Sequence, residues 1–380
     1  MNNIVKYDVA IVGGGIAGLC TALQLANAGY KVCLIEKETY PIHKVCGEYI
    51  SMESYPFLEQ VIGFPFHEFS LPRITQLHIS SPRGNIIQHM LKPGGFGISR
   101  HTFDHELWQM AHRKGVVLHH YKVENILYAD NQYIINTTQK VEISARLAIG
   151  CWGKRSNIDI KNERKFTRTK YKGQHNYIGV KYHIHADLPD HIIELHNFKD
   201  GYAGISKVEN DTYCLCYLTT SNNLSEYQNS IPMMEERMLM CNPWLKNYLT
   251  KYKKITPTPV SISQITFDQK ELIHRHIPMA GDSAGMIAPL CGNGMSMAMH
   301  ASKILSGLAI QYLEHKISLD ELCNQYTQVW NGNFAARLRA GRILQSLLGS
   351  EFLTEAVIAL LKPFPPVVSA LVGLTHGKTF

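Results

Sequence analysis

The amino-terminal part of the chain alternates between apolar runs and glycines. An apolar run at residues 9–12 leads into a glycine-rich turn at 13–18, and residues 19–28 repeat apolar positions at helical spacing. A second apolar run at 32–35 ends on Glu36. Short apolar runs bounded by glycine are typical of buried strands, and the longer periodic stretch is typical of a helix. The pattern predicts two parallel strands joined by a helix.

The glycines of the turn have the spacing of a dinucleotide-binding loop. Gly13 permits a tight turn, Gly15 lets the backbone approach a pyrophosphate, and Gly18 lets the helix pack closely on the strand. The helix opens with Ile16 and Ala17, where free amides and the positive end of the helix dipole favour a phosphate. We predict that these five residues contact or position the phosphates of a dinucleotide.

Glu36 narrows the choice of dinucleotide. It lies 18 residues beyond Gly18, where a carboxylate accepts hydrogen bonds from both ribose hydroxyls of an adenosine. An acid there disfavours a 2′-phosphate, so FAD or NAD is expected rather than NADP. Lys37 is predicted to lie beside it at the cofactor. A glycine-rich turn without function does not account for the strand, the helix and the spaced acid together.

The remainder of the chain mixes strand and helix periodicities. Strands are predicted at residues 74–80, 84–90, 116–139, 145–150, 177–185, 201–206, 212–219 and 277–282, and helices at 102–113, 226–250 and 295–315. More helix follows to the C-terminus, where three prolines interrupt an apolar tail. The block from about 170 to 267 is rich in strands, which indicates a second domain inserted into the first.

Composition limits the class of protein. The 380 residues are 45% hydrophobic and 18% charged, as in a globular protein with core enough for two domains. The net charge of +7 includes no long basic block, so nucleic acid is not expected as a partner. Nine scattered cysteines without a CxxC pair suit a reducing compartment, and we expect a cytoplasmic protein. No apolar stretch is long enough to span a membrane.

Histidines do not form a recognisable metal motif. His183 and His185 share one face of a predicted strand, and His274 and His276 share another, but no cysteine or carboxylate stands at zinc spacing. We expect surface histidines at these positions and no metal site.

Two further motifs lie downstream of the first. Arg100 precedes a predicted helix with Asp104 in its first turn, which a plain helix start explains equally well. Asp282 ends a predicted buried strand, where it can accept hydrogen bonds from a ribitol chain. Gly292 and Gly294 keep the backbone bare at the start of a long helix, whose N-terminal amides can stabilise negative charge on a reduced flavin.

Together the three motifs resemble the flavoprotein superfamily of para-hydroxybenzoate hydroxylase and geranylgeranyl reductase. The similarity extends over residues 5–315, and the motifs follow in the superfamily's order. The resemblance implies bound FAD, with Arg100 along its pyrophosphate and ribitol, Asp282 on the ribitol, and Gly292 to Met295 at the isoalloxazine. It also implies NAD(P)H as a transient reductant.

The loop at residues 43–48 resembles the reductase branch of that superfamily. Its K-V-C-G-E sequence is similar to the K-x-C-G-E segment that geranylgeranyl reductases carry beside the flavin. The resemblance places Lys44 at the cofactor and makes Cys46 and Glu48 the candidate catalytic residues. The alternative for Cys46 is a small residue that only packs the loop.

Departures from the superfamily's patterns bear on the reaction. Residues 151–156 correspond to its A-D-G-x-x-S segment, with Trp152 where an aspartate helps hydroxylases to bind a nicotinamide cofactor, which leaves the reductant open. Gly153 is retained and is predicted to contact the cofactor. Residues 201–206 lack the tryptophan and proline of the reductase substrate sheet. The G-W-x-W-x-I-P motif of halogenases is absent, which argues against halogenation.

We predict an α/β fold in three parts. A discontinuous Rossmann-type FAD-binding domain comprises residues 1–70, 96–165 and 268–318, and a mostly antiparallel β-sheet substrate domain comprises residues 71–95 and 166–267. Residues 319–380 form a helical C-terminal region. A buried core helix pair is the favoured interpretation of this region, and a cap over an apolar substrate tunnel or contact with a membrane surface are the alternatives.

The expected function is that of an FAD-dependent oxidoreductase acting on a lipophilic small molecule of isoprenoid, alkyl-phenol or polyketide type. In one reaction, reduced flavin reduces a double bond, and Cys46 or a nearby acid assists protonation. In the other, a monooxygenase hydroxylates an aromatic or polyketide substrate. A non-catalytic Rossmann scaffold that binds a partner protein is a more distant alternative, because it would not need Asp282 or the glycines beside the flavin.

Overall fold

The computed structural model describes residues 5–168, 176–347 and 350–380. Residues 170–175 of the predicted strand-rich block lie outside this part of the chain. The strands are β1 (Val5–Val12), β2 (Val32–Ile35), β3 (Tyr49–Ser51), β4 (Arg73–Ser80), β5 (Ile86–Gly97), β6 (Val117–His119), β7 (Val123–Ala129), β8 (Gln132–Thr137), β9 (Glu142–Gly150), β10 (Tyr177–His185), β11 (Ile192–Phe198), β12 (Gly201–Lys207), β13 (Thr212–Thr220), β14 (Lys253–Lys254), β15 (Val260–Ile265), β16 (Ile273–His274) and β17 (Ile277–Pro278). The helices are α1 (Ile16–Asn27), α2 (Arg100–Arg113), α3 (Asn157–Lys161), α4 (Lys165–Arg168), α5 (Ser221–Glu226), α6 (Ile231–Arg237), α7 (Pro243–Lys251), α8 (Gly294–Leu313), α9 (Leu319–Leu347), α10 (Glu351–Leu361) and α11 (Pro365–Gly373).

The first sheet has the strand order β6-β2-β1-β9-β8-β7. Strands β6, β2, β1 and β9 run parallel, and β8 and β7 extend the sheet in antiparallel pairs. Residues 9–12 and 32–35 of the two central strands are buried or nearly so, and α1 packs against both α2 and α8. Strands covered by helices need near-continuous apolar runs, which is the pattern that predicted them. The Rossmann-type α/β prediction is confirmed.

The second sheet joins segments that are far apart in the chain. Its order is β14-β10-β13-β12-β11-β4-β5-β3, with β15 paired to β10, and its pairs are antiparallel except β11 with β4. Strand β3, which the sequence analysis assigns to the nucleotide domain, pairs with β5. Helices α6 and α7 pack on one face of this sheet through a cluster around Met234, Leu245 and Tyr248. The sheet's other side is therefore left to form the wall of a cavity.

The segment at residues 277–282 differs from the predicted strand. β17 covers only two residues, and a 3-10 turn covers Gly281–Ser283. Pro278 lacks a backbone donor and Gly281 has a φ of 68°, so a regular ladder does not continue. The Ala280 amide still donates to the Gly150 carbonyl at 2.9 Å. The segment thus brings Asp282 to the carboxyl end of β9.

The C-terminal helices are arranged differently from a buried core pair. α9 packs against α8, whereas α10 and α11 pack against β5 of the second sheet. Phe352 and Leu360 on α10 are 83% and 67% exposed, so the expectation of buried core helices is wrong for this region. Within the described residues, none of the helices alone is long and apolar enough to cross a bilayer; α9 and α10 meet that criterion only when taken together across a sharp bend.

Candidate functional site

One continuous cavity of about 840 Å³ extends from the glycine-rich turn to the C-terminal helices. Among the residues predicted to bind the cofactor or act in catalysis, those that line it are Gly15, Ile16, Ala17, Glu36, Lys37, Lys44, Cys46, Glu48, Arg100, Gly153, Asp282, Gly292, Gly294 and Met295. Gly13 and Gly18 are not among the lining residues. The structure therefore brings together three motifs, the first and last of which are separated by more than 200 residues of sequence.

The three glycines of the first motif have different steric roles. Gly13 has a φ of 106°, and a Cβ there would lie 2.3 Å from the Cys151 carbonyl oxygen. A Cβ on Gly18 would lie 2.0 Å from the Gly13 carbonyl oxygen, so Gly18 allows the helix to approach the turn. A Cβ on Gly15 would have only the Lys44 ammonium nearby, at 4.0 Å. Gly15 thus leaves open space where a phosphate can approach the backbone.

Positive charge surrounds this open space. Helix α1 begins at Ile16 with no side-chain cap and no acid in its first turn. Arg100 holds Asp104 through two hydrogen bonds of 2.7 Å, and the Lys44 ammonium lies 3.3 Å from the same carboxylate. Burial lowers the pKa of Arg100, but Asp104 outweighs that effect and leaves it raised. Two cations and one buried anion leave a net positive charge beside the helix dipole, which suits a pyrophosphate.

Glu36 is held in place by the backbone of its own motif. Its carboxylate accepts hydrogen bonds from the Gly14 amide at 2.8 Å and the Glu38 amide at 3.1 Å. A carboxylate has about four acceptor positions, so two remain for ribose hydroxyls. Tyr40 donates its hydroxyl to the Gly14 carbonyl and fixes the turn from the other side. Lys37 lies at the rim, where it pairs with Glu38 at 3.1 Å and is largely exposed.

Asp282, Gly292 and Gly294 form another part of the cavity wall, the part that the sequence analysis assigns to the flavin. The Asp282 carbonyl accepts a 2.7 Å hydrogen bond from Lys270, a buried ammonium whose pKa burial lowers to about 8. Gly292 has a φ of 65°, and a Cβ there would lie 3.2 Å from the ring of Tyr49. Helix α8 begins at Gly294, without a side-chain cap. Its free amides face the same cavity.

Residues 152 and 153 lie where the superfamily's aspartate and glycine are expected. Trp152 donates from Nε1 to Asp159 at 2.8 Å, so this ring is tied into the helix that follows. Gly153 has a φ of 83°, and a Cβ there would meet nothing within 4 Å. The glycine is therefore required by backbone conformation, and it leaves the cavity wall open.

Glu48 is the most strongly bonded residue of the site. It is fully buried, has a φ of 58°, and lies 2.6 Å from both the Lys181 ammonium and His183 Nε2. The Arg100 amide at the start of α2 donates to it at 2.8 Å. Burial alone would raise the pKa of Glu48, but His183 and Lys181 lower it to about 2. Glu48 is thus an anion at neutral pH and a poor proton donor.

The partners of Glu48 were missed by sequence reasoning. His183 is not the surface histidine that the sequence analysis expects, because its side chain is only 12% exposed and lies against Glu48. A lysine at 181 in an otherwise apolar strand was the available signal, since a buried lysine needs an anionic partner. Glu48, His183 and Cys214 also place ligand atoms within 4.8 Å of one another, but the Lys181 ammonium already supplies a cation at this carboxylate.

Cys46 lines the cavity on the same loop. Its Sγ lies 3.5 Å from the Glu48 amide, which donates to it, and its carbonyl accepts from the Cys214 thiol at 3.3 Å. The Gly47 carbonyl accepts from Ser206 of β12 at 3.3 Å. The loop is therefore bonded to the second sheet at Cys46 and at Gly47, which holds Cys46 at the cavity wall.

Beyond this loop the cavity becomes an apolar tunnel. Its walls come from the second sheet and from the C-terminal helices, and they include Leu77, Ile79, Ile87, Leu91, Ile193, Leu195, Leu344, Val357, Ile358, Leu361, Val368, Leu371 and Val372. The tunnel and the cofactor half are one continuous space. The sequence analysis predicted a possible tunnel beneath the C-terminal tail. It did not identify the strands of the second sheet that form the floor of this tunnel.

Two phenols stand at the junction of the two halves. Tyr49 and Tyr202 are at most 6% exposed, line the cavity, and have hydroxyls without a hydrogen-bond partner among the described residues. The Tyr49 ring occupies space that a Cβ on Gly95 or Gly292 would invade. Burial raises the pKa of Tyr49, so its hydroxyl stays protonated. Sequence reasoning missed both, since nothing in a single chain separates them from core tyrosines.

Known proteins match this chain over its amino-terminal segment or over most of its length. A family described as FAD-dependent oxidoreductase matches residues 8–44. A curated relative from Dictyostelium discoideum, conditioned medium factor receptor 1, is 24% identical and covers 98% of this chain and 74% of its own. A digeranylgeranylglycerophospholipid reductase from Methanococcus vannielii is also 24% identical, covering 86% of this chain and 82% of its own.

Solved structures share the fold over nearly the whole chain. A flavin-dependent brominase has a TM-score of 0.78 at 15% identity, with 99% of this chain and 94% of its own covered. A geranylgeranyl bacteriochlorophyll reductase-like protein from Thermoplasma acidophilum has a TM-score of 0.78 at 17% identity, covering 98% and 96%. Fold, motif and cavity together define an FAD-dependent oxidoreductase. Reductases of the geranylgeranyl type are among its relatives, which confirms the resemblance carried by the motifs.

The residues present fit FAD. Open space lies between Gly15, Lys44 and the start of α1, Glu36 has free acceptor positions, and Gly294 at the uncapped start of α8 also lines the cavity. The adenosine end would rest on Glu36, and the flavin end would lie between the Cys46 loop and Gly292.

Replacing Glu36 tests the adenosine position. Glu36→Ala should weaken FAD binding by about 3 kcal/mol, on the order of 10²-fold, because two charge-assisted hydrogen bonds to the ribose are lost. FMN, which lacks the adenosine, should bind the variant and the parent equally. Titration calorimetry measures both, and Glu59→Ala, an exposed glutamate outside the cavity, is the matched control. Equal losses for FAD and FMN would contradict the assignment.

Proposed function

We propose that this FAD-dependent oxidoreductase reduces a carbon–carbon double bond in a long lipophilic molecule of isoprenoid type. The observation that carries the proposal is the apolar tunnel that opens directly onto the flavin end of the cavity. Each methylene buried in such a tunnel contributes about 0.8 kcal/mol, so a long chain is held without any directional contact.

The distribution of polar groups supports this assignment. The tunnel walls are mostly aliphatic side chains, with Asn197 also on the lining, whereas Cys46, Glu48, Tyr49 and Tyr202 lie on the part of the cavity assigned to the flavin. A chain with an isolated double bond gives the protein nothing to bind by hydrogen bonds along most of its length. Chemistry is therefore confined to one end of the cavity, where proton donors and the cofactor meet. The reductases among the relatives are consistent with this substrate class.

Reduction of a double bond needs a hydride at one carbon and a proton at the other. Bound FAD, once reduced by two electrons from NAD(P)H, supplies the hydride. The protein supplies the proton, and we assign this role to the Cys46 thiol, which faces the cavity from a loop bonded to the second sheet. Glu48 holds that loop as a fixed anion, so it positions the donor rather than acting as one.

The mass of the product separates this proposal from its alternative. The FAD-loaded protein is reduced without oxygen and mixed with geranylgeranyl substrates. The product should then be heavier than the substrate by two hydrogens for each double bond that is reduced. Dithionite and NAD(P)H are supplied in separate arms, so that failure of the reductant is distinguished from failure of the reaction. Product that forms only in air and gains one oxygen atom would establish the monooxygenase instead, and gain of a halogen would establish a halogenase.

Paired variants test the proton donor. Cys46→Ser should lower product formation by about 10²-fold, the usual scale for a lost general acid, while FAD content and the rate of flavin reduction stay near normal. Tyr49→Phe removes one of the two phenols at the junction and should change turnover far less. A Cys46→Ser enzyme with full turnover would refute the assignment, and a large loss in Tyr49→Phe alone would transfer it to the phenol.

A further inference from the structure

Helices α10 and α11 are apolar on two faces. Toward the cavity, both helices present side chains to the tunnel, among them Ile358 and Val368, which are 2% and 5% exposed. The side chains that face away from it include Phe352 at 83% exposed, Leu360 at 67%, Phe364 at 52%, Val367 at 45% and Leu374 at 57%. We call these five residues the outer apolar patch.

A helix that covers a soluble core normally turns polar side chains to water. Single exposed apolar residues are common on any protein, but here five lie within 23 residues, on α10, on α11 and at the two ends of α11. A helix that is apolar all round is stable only when both faces are covered. The tunnel side is covered by the second sheet, so the outer apolar patch calls for another apolar environment.

The charges around the outer apolar patch favour an environment that carries negative charge. Residues 337–380 contain five lysines and arginines, of which Arg337 pairs with the buried Glu53, and two acidic residues, Glu351 and Glu355. Glu355 accepts hydrogen bonds from the Arg83 amide and the Asn85 side chain, so its charge is turned toward the protein body. Lys362 is exposed between Leu360 and Phe364, where its ammonium can reach a headgroup while the apolar neighbours enter the acyl region.

We propose that the outer apolar patch docks on the surface of an anionic lipid bilayer, with α10 and α11 lying in the interface plane. The same two helices line the tunnel, so a lipophilic chain that leaves the bilayer beneath them reaches the flavin end without crossing water. Phenylalanine and leucine beside lysine are typical of interfacial helices. The proposal concerns how the protein is placed, and it holds whichever reaction the flavin performs.

Vesicle flotation of the FAD-loaded protein tests this docking. Binding is expected to vesicles of phosphatidylcholine with phosphatidylglycerol, to fall with added salt, and to be much weaker on phosphatidylcholine alone. The double variant Phe352→Ser with Phe364→Ser should bind at least about tenfold more weakly. Ile160→Ser is the matched control, because Ile160 is 59% exposed but lies on α3, which packs against β7 of the first sheet.

Flavin absorbance and melting temperature establish that each variant is folded. Parent protein that stays unbound with both vesicle types, or a double variant that binds as tightly as the Ile160→Ser control, would overturn the proposal. A parent that self-associates in size-exclusion chromatography, while the double variant is monomeric and neither binds vesicles, would show instead that the patch is an interface between copies of the chain.

Discussion

A buried carboxylate is the interaction on which the arrangement of the site depends. Glu48 bonds the Lys181 ammonium and His183 from the second sheet and the Arg100 amide from the first domain's α2. Removing one partner of such a buried pair typically costs about 3–5 kcal/mol, because an unpaired charge remains in a low-dielectric environment. Glu48 therefore ties the loop with Lys44 and Cys46 to the second sheet and to α2. It adds to the bonds that the loop's carbonyls accept from Cys214 and Ser206, which also position the thiol.

The cofactor half could be predicted from sequence because its signals are local. The strand, the glycine turn, α1 and Glu36 lie within about 30 residues, and the spacing of the glycines and the acid is visible in that stretch alone. Glu48 was found as a candidate, but its role was not. Its partners come from a strand more than 130 residues later, and pairing across such distances depends on the register of the second sheet. The strand predicted at 277–282 is shorter in the structure, because Pro278 and Gly281 override the apolar pattern.

The tunnel is a feature that local sequence patterns did not predict. An apolar tail of this composition fits a buried helix pair as well as a cavity wall, because both need aliphatic side chains. The choice depends on how α10 and α11 lie against β5, and no local pattern encodes that geometry. The outcome has a functional consequence. Helices α10 and α11 leave one face exposed and line the tunnel with the other, so under the proposed function the tail lies between the flavin site and the protein surface.

We propose that one cavity holds both FAD and a long apolar chain, which lie end to end. Titration calorimetry of the FAD-loaded protein with prenol, geraniol, farnesol and geranylgeraniol tests this most directly. The affinity should rise with each added isoprene unit, by up to about 0.8 kcal/mol for each methylene-sized group buried, until the tunnel is full. Affinity that does not change with chain length, or that is highest for the shortest alcohol, would contradict the account.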